Sequence, residues 1–448
     1  MSGFRTLATL AATLFVPLVQ AETLFFVSKT ADSFDIACVT DCSLRETVYR
    51  ANQTPGASRI VLSAGTYTLT LNDPPWNYDE DPDPDENAGV RGDLDIAAPR
   101  LTILGHGQAD TIIKGSGDRL FDVLPQAELL LRRLTLREGL ADTYGGAVRN
   151  HGSLLAQYVS FINNRADAGI QGQGGALANF NSMTISRSLF EGNNSNGDEG
   201  FFGRGGAIYN VAALWVSDTT FRGNSVTDTD ADYGQGGALY NTGKAEVTRS
   251  TFVANTAGVP LYGGGGSAIA NREEGDLLLI NSTISGNPGI TTNGVIASGI
   301  QGFTNDRRVR TRLISVTVAG NSGLGVSNMG TLRVSSSVIA GNQLNGVPAN
   351  CSNAGGFAAL ALLLGTDQGN CTSDFWVDDA LTWTKVLYPL ANNGGYTATH
   401  ALRRASPAID ATQRTVNSHD QRGVTRPRDG DGDGIAVSDM GAYERSGP

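Results

Sequence analysis

The sequence predicts an all-β chain wound as a right-handed single-stranded parallel β-helix. Three observations predict it. A phrase of the form Gly-Gly-Ala-x-x-Asn recurs from residue 145 onward. A second phrase, Phe-x-x-Asn, follows each copy. The residues leading into the phenylalanine are apolar at every second position. A spacing of two belongs to a strand, and a repeat of about thirty residues belongs to a stacked solenoid.

The first phrase stands at 145–150, 174–179, 205–210 and 236–241, with an altered copy, Gly266-Ser-Ala-Ile-Ala-Asn271. Its asparagines, Asn150, Asn179, Asn210, Asn241 and Asn271, are 29, 31, 31 and 30 residues apart. The second phrase begins at Phe161, Phe190, Phe221 and Phe252 and decays to Ile284, Val318 and Ile339. Five residues before these positions stand Ala156, Ile185, Val216, Val247, Leu279, Leu313 and Val334. Two before stand Ser188, Thr219, Ser250, Ser282 and Ser337. A unit this small cannot bury its apolar face alone. Stacked at about 4.8 Å, equal residues of successive coils lie above one another. The phenylalanines are then expected to form an internal column, the hydroxyls a ladder, and Asn150, Asn179, Asn210, Asn241 and Asn271 an amide ladder at a turn. The glycine pairs permit tight bends and close backbone approach.

The chain divides into five parts: 1–21, 22–72, 73–144, 145–350 and 351–448. Residues 1–21 read as a signal peptide, with Arg5, the apolar run from Leu7 to Val19, and Val19-Gln20-Ala21 before the mature start at Glu22. Residues 22–72 form the N-terminal cap and first coil. Ser43 followed by Glu46 is a capping box, so the segment from Cys42 to Asn52 is expected to be a short helix laid over the first coil. Residues 73–144 hold an acidic, proline-bearing loop, with seven acids between Asp73 and Asn87, and the early coils. Residues 145–350 carry the repeats, and 351–448 form an appended C-terminal region.

Several phrases resemble known families. Cys42-Ser-Leu-Arg-Glu-Thr47 is similar to the N-terminal signature of bacterial exported CSLREA-type β-helix proteins, with threonine in place of the last alanine. The paired repeats over about 145–290 resemble those of chlamydial polymorphic outer-membrane proteins, which are surface adhesins. Asn393-Gly-Gly-Tyr-Thr-Ala-Thr-His400, Ser406-Pro-Ala-Ile-Asp410, Asp420-Gln-Arg-Gly423 and Asp439-Met-Gly-Ala-Tyr-Glu444 resemble the choice-of-anchor Q region, with Tyr396 where that family has proline. These resemblances imply a pectate-lyase-like solenoid, export and surface attachment.

Composition narrows the function. The net charge of −11 argues against nucleic acid as a partner. No stretch after residue 21 holds eighteen consecutive apolar residues, so no membrane span is expected in the mature chain, and a monomer is expected. The four cysteines fall as two local pairs, Cys38/Cys42 and Cys351/Cys371. In an exported chain they suggest two short-loop disulfides.

Two places carry candidate chemistry. Asp429-Gly-Asp-Gly-Asp-Gly434 resembles the start of a calcium loop, and Asp429, Asp431, Asp433 and Asp439 are the expected ligands. The position twelve acid is replaced by Met440, so a flexible acidic turn is the alternative. The variable loops before each glycine pair carry Tyr144, Phe202, Tyr233 and Tyr262 beside Asp198, Glu199, Asp228, Asp230 and Asp232. Aromatic faces beside hydroxyl acceptors suit sugar rings. An extracellular polysaccharide or cell-surface glycan is the expected partner, bound without catalysis or in adhesion. The alternative is a polysaccharide lyase or glycoside hydrolase acting in a loop-lined groove. His400 is expected to be structural.

Overall fold

A computed structural model describes residues 21–36, 38, 41–72, 89–167, 172–197, 203–228, 234–258, 265–289, 297–303, 308–366, 369–412 and 417–447. The expected leader and most of the acidic loop lie outside them. The described chain is a right-handed parallel β-helix. Its strands form three parallel sheets, of twenty, ten and five strands among the described residues. In the coil from Gly174, Leu177–Asn179 belongs to the ten-stranded sheet. Ser182–Ser186 and Leu189–Glu191 belong to the twenty-stranded sheet, and Asn194–Gly197 to the five-stranded one.

Left-handed backbone makes three of the corners of each coil. The first is the leading glycine of each pair, Gly145, Gly174, Gly205, Gly236 and Gly266, at φ from 61° to 79°. Its neighbour is fixed by close approach: a Cβ on Gly206 would meet the carbonyl oxygen of Gly237 in the next coil. The second corner uses ordinary residues: Arg133, Tyr158, Arg187, Asp218, Arg249, Asn281, Ser315 and Ser336 lie at φ from 46° to 57°. Such residues are uncommon there. The hydroxyl ladder compensates them. The hydroxyls of Ser188, Thr219, Ser250, Ser282 and Ser337 each donate to the carbonyl two residues earlier, across the corner, at 2.7–2.9 Å. Each accepts a backbone N–H from the preceding coil at 3.0–3.4 Å.

The third corner precedes the asparagine of Phe-x-x-Asn. Asn164, Asn193, Asn224, Asn255, Asn287, Asn321, Asn342 and Asn350 form a buried ladder. Each Nδ2 donates to the next Oδ1 at 2.7–3.1 Å. The Asp379 carboxylate ends the ladder, accepting Asn350 Nδ2 at 3.0 Å. Asn150, Asn179, Asn210, Asn241 and Asn271 form the second amide ladder, linked at 2.6–2.8 Å. Between the ladders lies the core. Phe161, Phe190, Phe221 and Phe252 stack with centroids 4.5, 4.8 and 4.5 Å apart, the spacing of the coils themselves.

The first coil is covered, as an edge-bearing stack requires. The capping helix, Leu44–Asn52, has Ser43 as N-cap and the reciprocal bond from Glu46. Its Arg45 is fully buried. It pairs with Asp32 and donates to the carbonyls of Gly89, Arg91, Gly92 and Asp93. Cys38–Cys42 and Cys351–Cys371 are disulfides. The stack runs on past residue 351 through Gly356–Gly365 and ends at Phe375–Val377. The remaining chain turns back and lies along the outer face of the twenty-stranded sheet as a strap. Gly441 N–H donates to the Ser336 carbonyl at 2.8 Å, and Thr397 Oγ1 to that of Arg249 at 3.0 Å.

Candidate functional site: a groove between helix and strap

The second corner sets the site. A left-handed residue interrupts strict alternation, so two consecutive side chains leave the coil, and the corner side chain stands clear of the sheet. In successive coils these are Arg133, Tyr158, Arg187, Asp218 and Arg249. Arg249 pairs with Asp218 through two bonds of 2.7 and 2.8 Å. Arg187 Nη1 donates to the Tyr158 hydroxyl at 2.6 Å.

The strap supplies the opposite wall. Gln421 Nε2 donates to Thr251 Oγ1, Thr397 Oγ1 and the Ala398 carbonyl at 2.8, 2.8 and 3.0 Å. Its Oε1 accepts from Thr283 Oγ1 at 2.7 Å. His400 is buried between the Tyr388 carbonyl, 2.8 Å from Nδ1, and the Ser285 hydroxyl, 2.9 Å from Nε2. Burial holds its ring neutral, with the pKa lowered to about 4. These bonds fix the segment that presents Tyr396, which is 57% exposed. The Arg187 guanidinium carbon lies 4.7 Å from the Tyr396 ring centroid and 5.4 Å from that of Tyr158. A hydrogen bond with Tyr396, then that from Arg187, hold the Tyr158 phenol below its ordinary range; the first bond raises Tyr396.

The result is a depression of about 450 Å³, lined by Gln108, Tyr158, Arg187, Asp218, Thr220 and Tyr396 among others. A second, of about 420 Å³, adds Gly107 and Arg133 and shares Gln108 and Tyr158. Two solvent-facing aromatic rings, cations and hydroxyls thus meet in one open groove.

No family model matches the chain, and no curated protein does. Among solved structures, a crystal structure of the pectate lyase Pel9A is similar, with a TM-score of 0.46 and 13% identity over 95% of this chain and 96% of that one. The assignment of fold rests on the chain's own strand ladders.

The structure separates the residues singled out in the loops. Tyr144 is half-buried against Phe180, at 5.1 Å edge to face, and Tyr209, at 6.2 Å. It belongs to an aromatic cluster on the ten-stranded sheet with Tyr240, whose burial pushes its phenol up to about 12. Phe202, Tyr233, Tyr262, Asp198, Glu199, Asp230 and Asp232 lie outside the described residues, as does the side chain of Asp228.

The aspartate string is drawn together differently from its spacing. Carboxylate oxygens of Asp410, Asp429 and Asp431 lie within 4.8 Å of one another. Asp410 comes from the Ser-Pro-Ala-Ile-Asp phrase and was not among the expected ligands. Its Oδ2 accepts Gly430 and Asp431 N–H, both at 2.9 Å, and its Oδ1 is shielded without a hydrogen bond. The set is all oxygen and suits a hard cation such as calcium. Asp433 accepts its own turn's N–H from Ile435. Asp439 stands apart, buried, accepting the N–H groups of Asp410 and Arg445, with burial raising it to about 6.

Proposed function

We propose that the protein is an exported β-helix of the cell surface or its surroundings that binds glycan, and that the groove between the second-corner row and the strap is where it binds. The observation that carries this reading is the clamp of Tyr158, Arg187 and Tyr396. Open tyrosine faces offer sugar rings a stacking surface, and the guanidinium and the flanking hydroxyls offer hydrogen bonds. The leader-like residues 1–21 and the two disulfides support export to an oxidising compartment. The resemblance of the C-terminal phrases to a surface-protein region supports attachment there. Adhesion follows if the glycan belongs to another cell.

The test is a glycan array probed with the full chain, repeated with Arg187→Ala. A defined set of glycans is expected to bind, with affinity falling about tenfold in the variant, about 1.4 kcal/mol. Absence of binding, or binding indifferent to the variant, contradicts the proposal.

One observation favours a second reading, a polysaccharide lyase. The Tyr158 hydroxyl accepts from Arg187 at 2.6 Å, which sets an oxygen that could take a proton next to a guanidinium that could neutralise a uronate. Elimination would produce an unsaturated sugar with new ultraviolet absorbance, lost in Tyr158→Phe. A hydrolase is less well served: the groove's carboxylate, Asp218, is engaged by Arg249, and hydrolysis uses two facing carboxyl groups.

A further inference from the structure

The outer face of the same sheet carries a second charged depression, farther up the stack. It measures about 490 Å³ and is lined by Asp276, Arg310, Thr311, Arg312, Thr331 and Arg333. Strand register explains why three arginines meet there. Arg312 lies directly over Arg333 in the next coil, and Arg310 is two residues from Arg312 on the same outward face. Arg312 is paired with Asp276 at 2.9 Å. Arg310 and Arg333 are exposed and have no carboxylate partner among the described residues.

The row of residues leading to this cluster begins beside the tyrosine clamp. Trp215, Glu246, Leu278, Arg312 and Arg333 are in register in successive coils. Trp215 is 40% exposed and belongs to the coil of Asp218, so a third aromatic surface lies between the two depressions. From the coil of Arg187 to that of Arg312 is four steps of the stack, about 19 Å at the usual strand spacing. From the coil of Arg187 onward, in the rows that hold Lys244, Trp215 and Arg249, the cations Arg187, Arg249, Lys244, Arg310, Arg312 and Arg333 outnumber the acids Asp218, Glu246 and Asp276, of which Asp218 is paired with Arg249 and Asp276 with Arg312. The face is cationic although the whole chain is acidic.

We infer that the ligand of this face is an extended polyanionic glycan, bearing carboxylates or sulfates along its length, that occupies the tyrosine clamp and the arginine cluster together. The inference rests on the glycan reading of the groove and adds the charge and minimum length of the chain. Guanidinium forks match planar anions in two-bond geometry. Two subsites on one polymer raise affinity through effective concentration, which a short oligosaccharide cannot exploit.

The experiment titrates a polyuronate, a sulfated dextran and neutral dextran against the full chain by calorimetry, at low and high salt, in the wild type and in Arg310→Glu/Arg333→Glu. Both arginines are exposed and have no carboxylate partner among the described residues, so the variant is expected to fold, which circular dichroism checks. At least one anionic polymer is expected to bind, more weakly in high salt, and at least about tenfold more weakly in the variant. A disaccharide of the same repeat is expected to bind weakly and equally to both proteins. Preference between the two anionic polymers identifies the carboxylate or the sulfate. If neutral dextran binds as well as the anionic polymers, or if the variant binds them unchanged, the inference is overturned while the groove reading stands. If no glycan of any charge binds, both are overturned.

Discussion

Asn224 shows how single side chains hold this fold. Its Oδ1 accepts both the backbone N–H and the Nδ2 of Asn193, at 3.1 and 2.8 Å. Its own Nδ2 donates to Asn255 and to the Phe190 carbonyl. All of these groups are buried, where an unmade hydrogen bond costs about 1–3 kcal/mol. Asn224→Ala strands two donors at once, so denaturant unfolding is expected to show a loss of about 3 kcal/mol. Thr227→Ala, at an exposed neighbouring site, is expected to stay within about 0.5 kcal/mol. Equal effects of the two substitutions would show that the ladder is incidental. The ladder of Asn150, Asn179, Asn210, Asn241 and Asn271 was legible in the sequence, because equal residues at equal spacing stack, whereas for Asn224 and its equivalents only the repeat was read and not the ladder. The corner residues were not legible. Arg133, Tyr158, Arg187 and Asp218 share a position, one residue before the column of Leu134, Val159, Ser188 and Thr219, but no chemical type. Their common signal is a break in alternation, where two polar residues follow one another.

The strap is the element on which the groove depends, and His400 is its buried pivot. Its ring is neutral in the fold, with a pKa near 4, against about 6.5 for a free histidine. Between those values the unfolded strap binds a proton that the packed strap refuses. His400's own contribution is therefore present in full above about pH 6.5 and is lost as pH drops toward 4, by up to about 3 kcal/mol, while Asp439 and Glu444, raised by burial to about 6 and about 7, contribute in the opposite sense. Trp383, with its ring centroid 5.4 Å from that of His400, reports the change. Wild type and His400→Gln are expected to differ in the pH slope of its emission through this window under mild denaturant, the variant lacking the loss of stability toward pH 4 that His400 causes. The same pH slope in both proteins would remove His400 from this role. The C-terminal phrases marked this region as distinct, but not where it lies. Its contacts are made by isolated side chains such as Gln421 and Thr397 against coils far away in the chain, and such pairings leave no period to read.

At the scale of the whole molecule, repetition and function separate. Everything that repeats is consumed by stacking: phenylalanines in the core, hydroxyls and amides in ladders, glycines at the corner of closest approach. The β-helix, its capping helix and its disulfides were therefore readable from the sequence. What remains free is what varies from coil to coil on the outer face, and the strap selects a part of that face by walling it. One wall of the groove is Tyr158 and Arg187; the other is Tyr396, which entered the sequence reading only as a departure from a family's proline. These residues together form the proposed glycan site. The most direct test is calorimetric titration of a polyuronate into wild type and into Tyr158→Ala/Tyr396→Ala, with the strap's packing checked by Trp383 emission. Saturable binding in the wild type and at least a tenfold loss in the variant, with the strap still packed, is the predicted result; equal binding in the two proteins would contradict it.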